Sequence, residues 1–498
     1  MGAGFWRAAV FAVLSPTCLF AQDVTLTSRD GSLAIAGTLQ AYDGEFFRID
    51  SKYGLLTVDA QGVICDGPAC PDLTAPKAII RLVGEVDAGM TLLQPLVQAF
   101  AASRGLTHVA PAGPGNLAIL TDPATGKVLA EISFRPMSPD QARAAIKSDG
   151  ADMIVSSETT ADLGARALAM DALIPIVAPD NPLPGISTLD LAKALAGDVT
   201  NWAQIGGPDM PLVLHGLAPG SDLQRALSAR LGREVAAQIT HANLAALSAA
   251  VIKDPWALAV TGQASAAAAR RLPLSDSCGF PLLPSRLAVK AQDYPLTLPL
   301  YLLTPRRRLP LMAREFLEFL ALPSAQTAVA KAGYIDRAPE RQPMTVDGLR
   351  LINAIQGAGD ETTLADLKRL VDLMDGADRL SLTFRFEDGS DQMDNASREN
   401  LLDLARLLEA GVFQDHMLYL AGFSDGSGPA KDNMALSQAR AAAVLEALKI
   451  AAPSIPADLL PQIVAFGEAL PMACDETGPG RRLNRRVELW LKPAFVTP

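Results

Sequence analysis

From Val24 to Leu73 apolar residues alternate with polar ones or run in short blocks, as in SLAIAGTLQAY, EFFRID and GLLTVD. Asp-Gly and Lys-Tyr-Gly turns separate the blocks, and a period of two bounded by turn residues predicts strands. Residues 22–75 therefore read as a small β-rich domain. Beyond Lys77 the period changes. AIIRLVGEV, ADMIVSS, DALIPIVAP and PLVLHG are apolar runs of strand length, and MTLLQPLVQAFAASRG, TLDLAKALAG and SDLQRALSARLG show helical spacing between or after them. Strands alternating with helices predict an α/β domain over residues 76–340, closed by the helix–turn–helix of REFLEFLALPSAQTAVAKAG. Residues 341–377 read as a helical connector: Pro343 opens it, Gly357 and Gly359 interrupt it, and TLADLKRLVDLMDGA is amphipathic enough to pack on a domain. Residues 378–498 run strand, helix, strand, helix, strand, strand, an α/β sandwich in which Ser397 is placed to cap a helix whose Leu401, Leu404, Leu407 and Leu408 face inward. The expected fold class is multi-domain α/β.

The first residues have the pattern of a secretory leader: Arg7, an apolar stretch from Ala8 to Leu14, and Ala21 at the cleavage point. Residues 1–21 are expected to be removed. Leu19 is a poor −3 residue, and Ser15-Pro16-Thr17 before Cys18 does not match a lipidation signal. No later apolar run reaches the roughly 18 residues of a membrane span. An exported chain makes the cysteines readable. ICDGPAC closes a tight loop, and Cys65 and Cys70 are expected to form a local disulfide. Cys278 and Cys474 fall in different domains and are left unpaired.

The 498-residue chain carries a formal charge of −11, which argues against nucleic acid or an anionic membrane surface as the main partner. Its four histidines, His108, His215, His241 and His416, are scattered and give no metal-ligand spacing with cysteine, so neither a metal nor a cofactor is expected.

The stretch from Asp171 to Gly216 contains a strand ending near Asn181-Pro182, a short helix, Thr200-Asn201-Trp202, Gly206-Gly207 and a return strand. With YPLTLPLYLLTP and AREFLEFLALPSAQTAVAKAGYI in order behind it, residues 76–340 resemble the periplasmic phosphate-type substrate-binding proteins of ABC transporters. The resemblance implies two α/β lobes with a ligand cleft between them, where oxyanions sit on helix N-termini. Its candidate cleft residues are Ser156, Ser157, Gly220 and Ser221, for a small solute or oxyanion. The ligand loops depart from the family. Gly84-Glu85-Val86-Asp87-Ala88-Gly89 replaces a Gly-Ser-Gly-Thr-like loop, Glu158 stands where an arginine is common, and Leu217 and Asp222 flank the third loop. An unpaired carboxylate beside a buried phosphate costs several kcal/mol. The acids thus favour a neutral or cationic ligand, or none.

Near the C-terminus, Arg440 sits among Leu436, Val444 and Leu448 on one helical ridge. A cation there needs an acid. The surrounding residues, Gly422, Ser424-Asp425, Gly428, Asn433, Leu436-Ser437 and Arg440-Ala441, followed by Gly467-Glu468, Pro471 and Asn484-Arg485-Arg486-Val487-Glu488, resemble the OmpA-like peptidoglycan-binding domain. Ser424 replaces the usual threonine. The resemblance makes Asp425 the partner of Arg440, and the two receive the diaminopimelate of the peptidoglycan stem peptide, with Asn433 and Ser424 in the site. The chemistry fits: the end of that side chain is a zwitterion, its ammonium meeting a carboxylate and its carboxylate a guanidinium. Arg485 and Arg486 read as structural.

The whole chain then reads as a non-enzymatic periplasmic protein held to the peptidoglycan on the outer-membrane side of a Gram-negative envelope, presenting a binding-protein-like head. A phosphate or oxyanion receptor for an ABC transporter is the alternative. Ser221 with His215 and Asp222 lacks a nucleophile elbow, and a pore would need many alternating strands of roughly ten residues.

Overall fold

The structure is a computed structural model that describes residues 24–494 apart from 29–30, 43–44, 71–76, 112, 114, 357–361 and 388–391. The expected leader at residues 1–21, with Cys18, lies outside the described residues, as do Gly357 and Gly359. The chain divides into two compact units, Met1–Ala78 and Ile79–Pro498.

In the first unit five antiparallel strands, β1 (Val24–Ser28), β2 (Ala34–Tyr42), β3 (Phe46–Ser51), β4 (Gly54–Asp59) and β5 (Val63–Asp66), form a sheet in the order β4-β3-β2-β1-β5. Val24, Leu26, Phe47 and Ile49 are buried at its centre, one side of the predicted alternation. A disulfide joins Cys65 to Cys70 at the end of β5, as the loop sequence predicts.

The central part of the second unit holds β6 (Ala78–Gly84), helix α1 (Val86–Ser103), β7 (Thr107–Val109), β8 (Asn116–Thr121), β9 (Val128–Pro136), β10 (Met153–Ser156) and the long β11 (Gly164–Val177). After them come β12 (Val213–Leu217), α2 (Asp222–Leu231), β13 (Ile239–His241), α3 (Leu244–Val251), β14 (Ala257–Gly262) and β15 (Thr297–Thr304). They make one sheet in the order β13-β12-β14-β11-β15-β10-β6-β9-β8-β7. β11 serves both halves: Gly164–Ala172 pairs with β15, whereas Leu173–Val177 pairs with β14. This shared strand makes two lobes of one sheet. α1 buries Leu92, Leu93, Leu96, Val97 and Phe100, the helical stripe that covers the first lobe.

The C-terminal part is a five-stranded sheet in the order β16-β17-β20-β18-β19, formed by β16 (Arg341–Pro343), β17 (Asp378–Arg385), β18 (His416–Phe423), β19 (Gln462–Ala465) and β20 (Arg486–Pro493). On one face α6 (Asn395–Glu409) and α7 (Ala430–Ala451) pack Leu404, Leu408, Val444 and Leu448 against Leu382, Phe384 and Leu489. The helix cap at the start of α6 is Asp394, whose carboxylate accepts the Ser397 N–H; Ser397 is buried and its hydroxyl accepts the Arg385 N–H. On the other face Met344, Ala354, Leu370 and Met374 lie against Tyr419, Phe423 and Trp490. Residues 341–377 therefore supply an edge strand and two helices, α4 (Gly348–Gln356) and α5 (Leu364–Met374), that cover the sheet's second face.

A buried charge network holds these parts together. Glu488 accepts from Arg350 Nη2 at 2.6 Å, Arg486 Nε at 2.7 Å and Trp490 Nε1 at 2.9 Å. Asp293 of the central part meets both Arg379 and Arg385 of β17 at 2.7 Å. Nearby, Cys474 is disulfide-bonded to Cys278, 196 residues away. These two cysteines, left unpaired by the sequence reading, meet because the central part and the C-terminal sheet are docked, which sequence separation hides.

Candidate functional site

Strand β18 delivers the C-terminal site. A Cβ at Gly422 would lie 2.0 Å from the Ser437 carbonyl, so only glycine lets the strand pass this close to α7. The loop after it is pinned by the Ser424 N–H to Gly467 O bond at 2.8 Å. Asp425 is buried. Its Oδ1 accepts the Ser427 N–H at 3.1 Å and its Oδ2 accepts Arg485 Nη1 at 2.9 Å. Burial disfavours this carboxylate, but Arg485 and Ser427 more than offset that and hold its pKa below the usual range.

The expected Asp425–Arg440 ion pair is not formed: Asp425 turns to Arg485, beside the closing strand. Arg440 Nη1 is buried without a hydrogen-bond partner, and so is Ser424 Oγ. The Arg440 guanidinium lies 6.0 Å from the centre of the Phe386 ring. Burial and the positive charge of Arg485 press its pKa down, and Asp425 pushes the other way. The ridge assignment is corrected too. The buried face of α7 is Asn433, Ser437, Ala441, Val444 and Leu448, with Leu436 exposed and Arg440 at the margin.

Asn433 has a different task from its neighbours. Its amide nitrogen donates to Glu468 Oε2 at 2.9 Å and to Gly428 O at 3.4 Å, so it fastens the loop to the next one. Arg486 is structural, as expected, whereas Arg485 stands in the site. The Asn484-Arg485-Arg486 run signals that arginines are needed here but not which one turns to Asp425.

In the central domain, Glu85, Asp87 and Asp222 converge on one small cavity, joined by Asp171 and Tyr334. It has room for only one or two waters. Each acid takes donors from the protein itself. Glu85 is the N-cap of α1 and accepts the Asp87 and Ala88 N–H groups. Asp222 Oδ2 accepts the Ser157 N–H at 3.0 Å and lies 3.4 Å from the Ser157 hydroxyl. Asp171 Oδ1 accepts the Gln263 N–H at 3.0 Å. Asp87 Oδ1 accepts the Leu244 N–H at 3.4 Å, linking α1 to α3. Burial, above all, raises the Glu85 and Asp171 pKa values to about 7, and raises those of Asp87 and Asp222 as well.

The other cleft candidates are engaged locally. Ser156 Oγ accepts the Glu158 N–H at 3.1 Å, and Ser221 caps α2. Gly220 stands before that cap with open space where a side chain would be. Glu158 pairs with Arg225 at 2.8 Å, away from the cavity lining. Asp171 escapes the sequence reading because it stands mid-strand in β11 among apolar residues, and only the fold brings it to the loops. His215 is not a base for Ser221: its ring nitrogens lie 3.1 Å from His241 Nε2 and 3.1 Å from Asp254 Oδ2.

Residues 385–485 match the OmpA family, and residues 91–324 match a PBP superfamily domain. The chain thus carries a stretch that matches a PBP superfamily domain, followed by one that matches the OmpA family. Solved structures similar to it include an ABC-type phosphate transport receptor from Vibrio cholerae, at 18% identity and a TM-score of 0.40, over 51% of this chain and 99% of that one. PstS from Borrelia burgdorferi is 14% identical with a TM-score of 0.36, over 52% of this chain and 99% of its own. Among the described residues no helix is long and apolar enough to cross a membrane.

Proposed function

We propose that the chain is a non-enzymatic, peptidoglycan-associated protein of the periplasm that binds the diaminopimelate end of the stem peptide through Asp425, Arg440 and Ser424. One observation carries the reading: two buried donors, Ser424 Oγ next to Asp425 in the chain and Arg440 Nη1 within reach of its charge, lack partners. Unsatisfied buried donors are costly, and a ligand carboxylate would satisfy the guanidinium. Asp425, held ionised by Arg485, is available to the ligand ammonium. Arg440 stays cationic despite burial, because guanidinium does not lose its proton in proteins. Glu468 and Asp475 are taken up by Asn433 and the Gly426 N–H, which leaves the Arg440 guanidinium for a ligand carboxylate. Isothermal titration of the full chain with a diaminopimelate-containing muropeptide and with its lysine counterpart tests the reading. Binding of the first and loss of the second is expected; equal affinity for both would remove the zwitterion assignment.

The head, on this reading, is not a phosphate receptor. The donors that an oxyanion would need are already used by the chain's own carboxylates: Glu85 at the start of α1 and Asp222 on Ser157. A dianion placed there would meet four acids and no free cation on the cavity wall. The outer-membrane side of the envelope is the proposed site of action, with the wall as partner.

A further inference from the structure

The contact between the head and the C-terminal domain leads directly into the wall site. Asp276 of the head accepts the Cys474 N–H through Oδ2 at 2.8 Å, and through Oδ1 it accepts the Cys278 and Phe280 N–H groups at 2.9 and 2.8 Å. The Cys278–Cys474 disulfide closes the same contact. One residue further on, Asp475 Oδ2 accepts the Gly426 N–H at 2.8 Å, and its Oδ1 accepts Asn484 Nδ2 at 2.8 Å. Gly426 follows Asp425 and Asn484 precedes Arg485. Asp475 therefore grips the chain next to both members of the Asp425–Arg485 pair. Asn484 reinforces the grip, since its Oδ1 accepts the Met472 and Ala473 N–H groups at 2.6 and 3.0 Å.

We propose that the Cys278–Cys474 cross-link, acting through Asp475, sets the loop that carries Asp425, so that the head fixes the geometry of the wall site. Cys474 and Asp475 are positioning residues; the atoms that would touch the ligand belong to Asp425, Arg440 and Ser424. The inference rests on the reading of that loop as the peptidoglycan site. Its mechanical half stands apart from it: a segment clamped at Cys474 holds the next residue still, and Asp475 passes that order to Gly426. Without the clamp, Asp475 must order itself before it can hold the loop, and part of the hydrogen bond's contribution is lost.

The test compares the full-length protein with a Cys278→Ser/Cys474→Ser variant and with Asp475→Ala, well below the melting temperature of each. Amide hydrogen exchange is followed at residues 424–428, with helix 395–409 as internal control. A diaminopimelate muropeptide is titrated into the same samples. The proposal expects exchange at 424–428 to rise about fivefold or more in both variants while the control helix is unchanged. It expects the muropeptide dissociation constant to rise about three- to tenfold. A cross-link that merely stabilises the fold would leave the protection of 424–428 equal to wild type, and that result overturns the proposal. A freed loop with unchanged affinity also overturns it. If the wild type binds no muropeptide yet the variants free the loop, the coupling stands and the peptidoglycan reading falls.

Discussion

Arg485 Nη1 lies 2.9 Å from Asp425 Oδ2, while Arg440 Nη1 is buried with no partner. The two arginines should therefore respond differently to removal. Arg485 neutralises a buried carboxylate, so Arg485→Ala should cost on the order of 1–3 kcal/mol of stability. Arg440→Met keeps the hydrophobic stem and removes a desolvated, unsatisfied donor, so it should be neutral or slightly stabilising. Chemical denaturation of the two variants checks this. A large loss for Arg440→Met and none for Arg485→Ala would reverse the assignment.

The cleft acids predict both a failure and a gain. Titration of wild type with inorganic phosphate at neutral pH should show no binding at micromolar concentration. Asp222→Ser removes one carboxylate and frees the Ser157 N–H, so weak phosphate or sulfate binding should emerge, improved further by Glu85→Ser. Each charge-assisted hydrogen bond that becomes available is worth roughly 1.5–3 kcal/mol, or about tenfold or more in affinity. Tight binding by wild type would show that donors elsewhere replace those the acids occupy.

The same acids set a pH dependence. Unfolded carboxyls titrate near pH 4, whereas Glu85 and Asp171 in the fold titrate at about 7. The folded state thus binds the extra protons, and the stability they contribute is complete below about pH 4 and is lost as pH rises through 7. Asp87 and Asp222 shift in the same direction. Asp152, Asp336 and Asp425 shift the opposite way and weaken the fold only below about pH 4. Scanning calorimetry should find a higher melting temperature at pH 5.5 than at pH 7.5. Glu85→Gln and Asp171→Asn should flatten that slope; a slope of opposite sign would contradict the burial of these groups.

Asp293 meets two arginines of β17 and is itself buried. Asp293→Ala leaves Arg379 and Arg385 without this carboxylate, and breaking a buried pair typically costs about 3–5 kcal/mol. The expected result is a lower melting temperature and a head that unfolds apart from the C-terminal sheet. A single transition at the wild-type temperature would mean that the junction does not depend on this network.

Much of this architecture is written in local pattern, and the rest is written in long-range contacts. The period of two in β1 to β5, the apolar runs of β6 and β11 and the stripe of α1 are properties of neighbouring residues, and they are legible. The motif around Asp425 is legible because its spacing along a loop and a helix is local. Which arginine turns to Asp425 depends on the path of the closing strand, so Arg440 was chosen over Arg485. Asp171 was missed because its sequence neighbours are a buried strand. Cys278 and Cys474 meet only through the domain junction, and the amphipathicity of 364–374 could not say that it would cover Phe423 and Trp490.

The central claim rests on the unpaired Arg440 guanidinium beside Asp425, and titration of a diaminopimelate muropeptide into wild type, Asp425→Ala and Arg440→Met tests it most directly. Circular dichroism establishes that each variant is folded. The account predicts measurable binding by wild type and a loss of about 2–4 kcal/mol, thirtyfold or more, in each variant. Wild-type affinity in a folded Arg440→Met protein would contradict it.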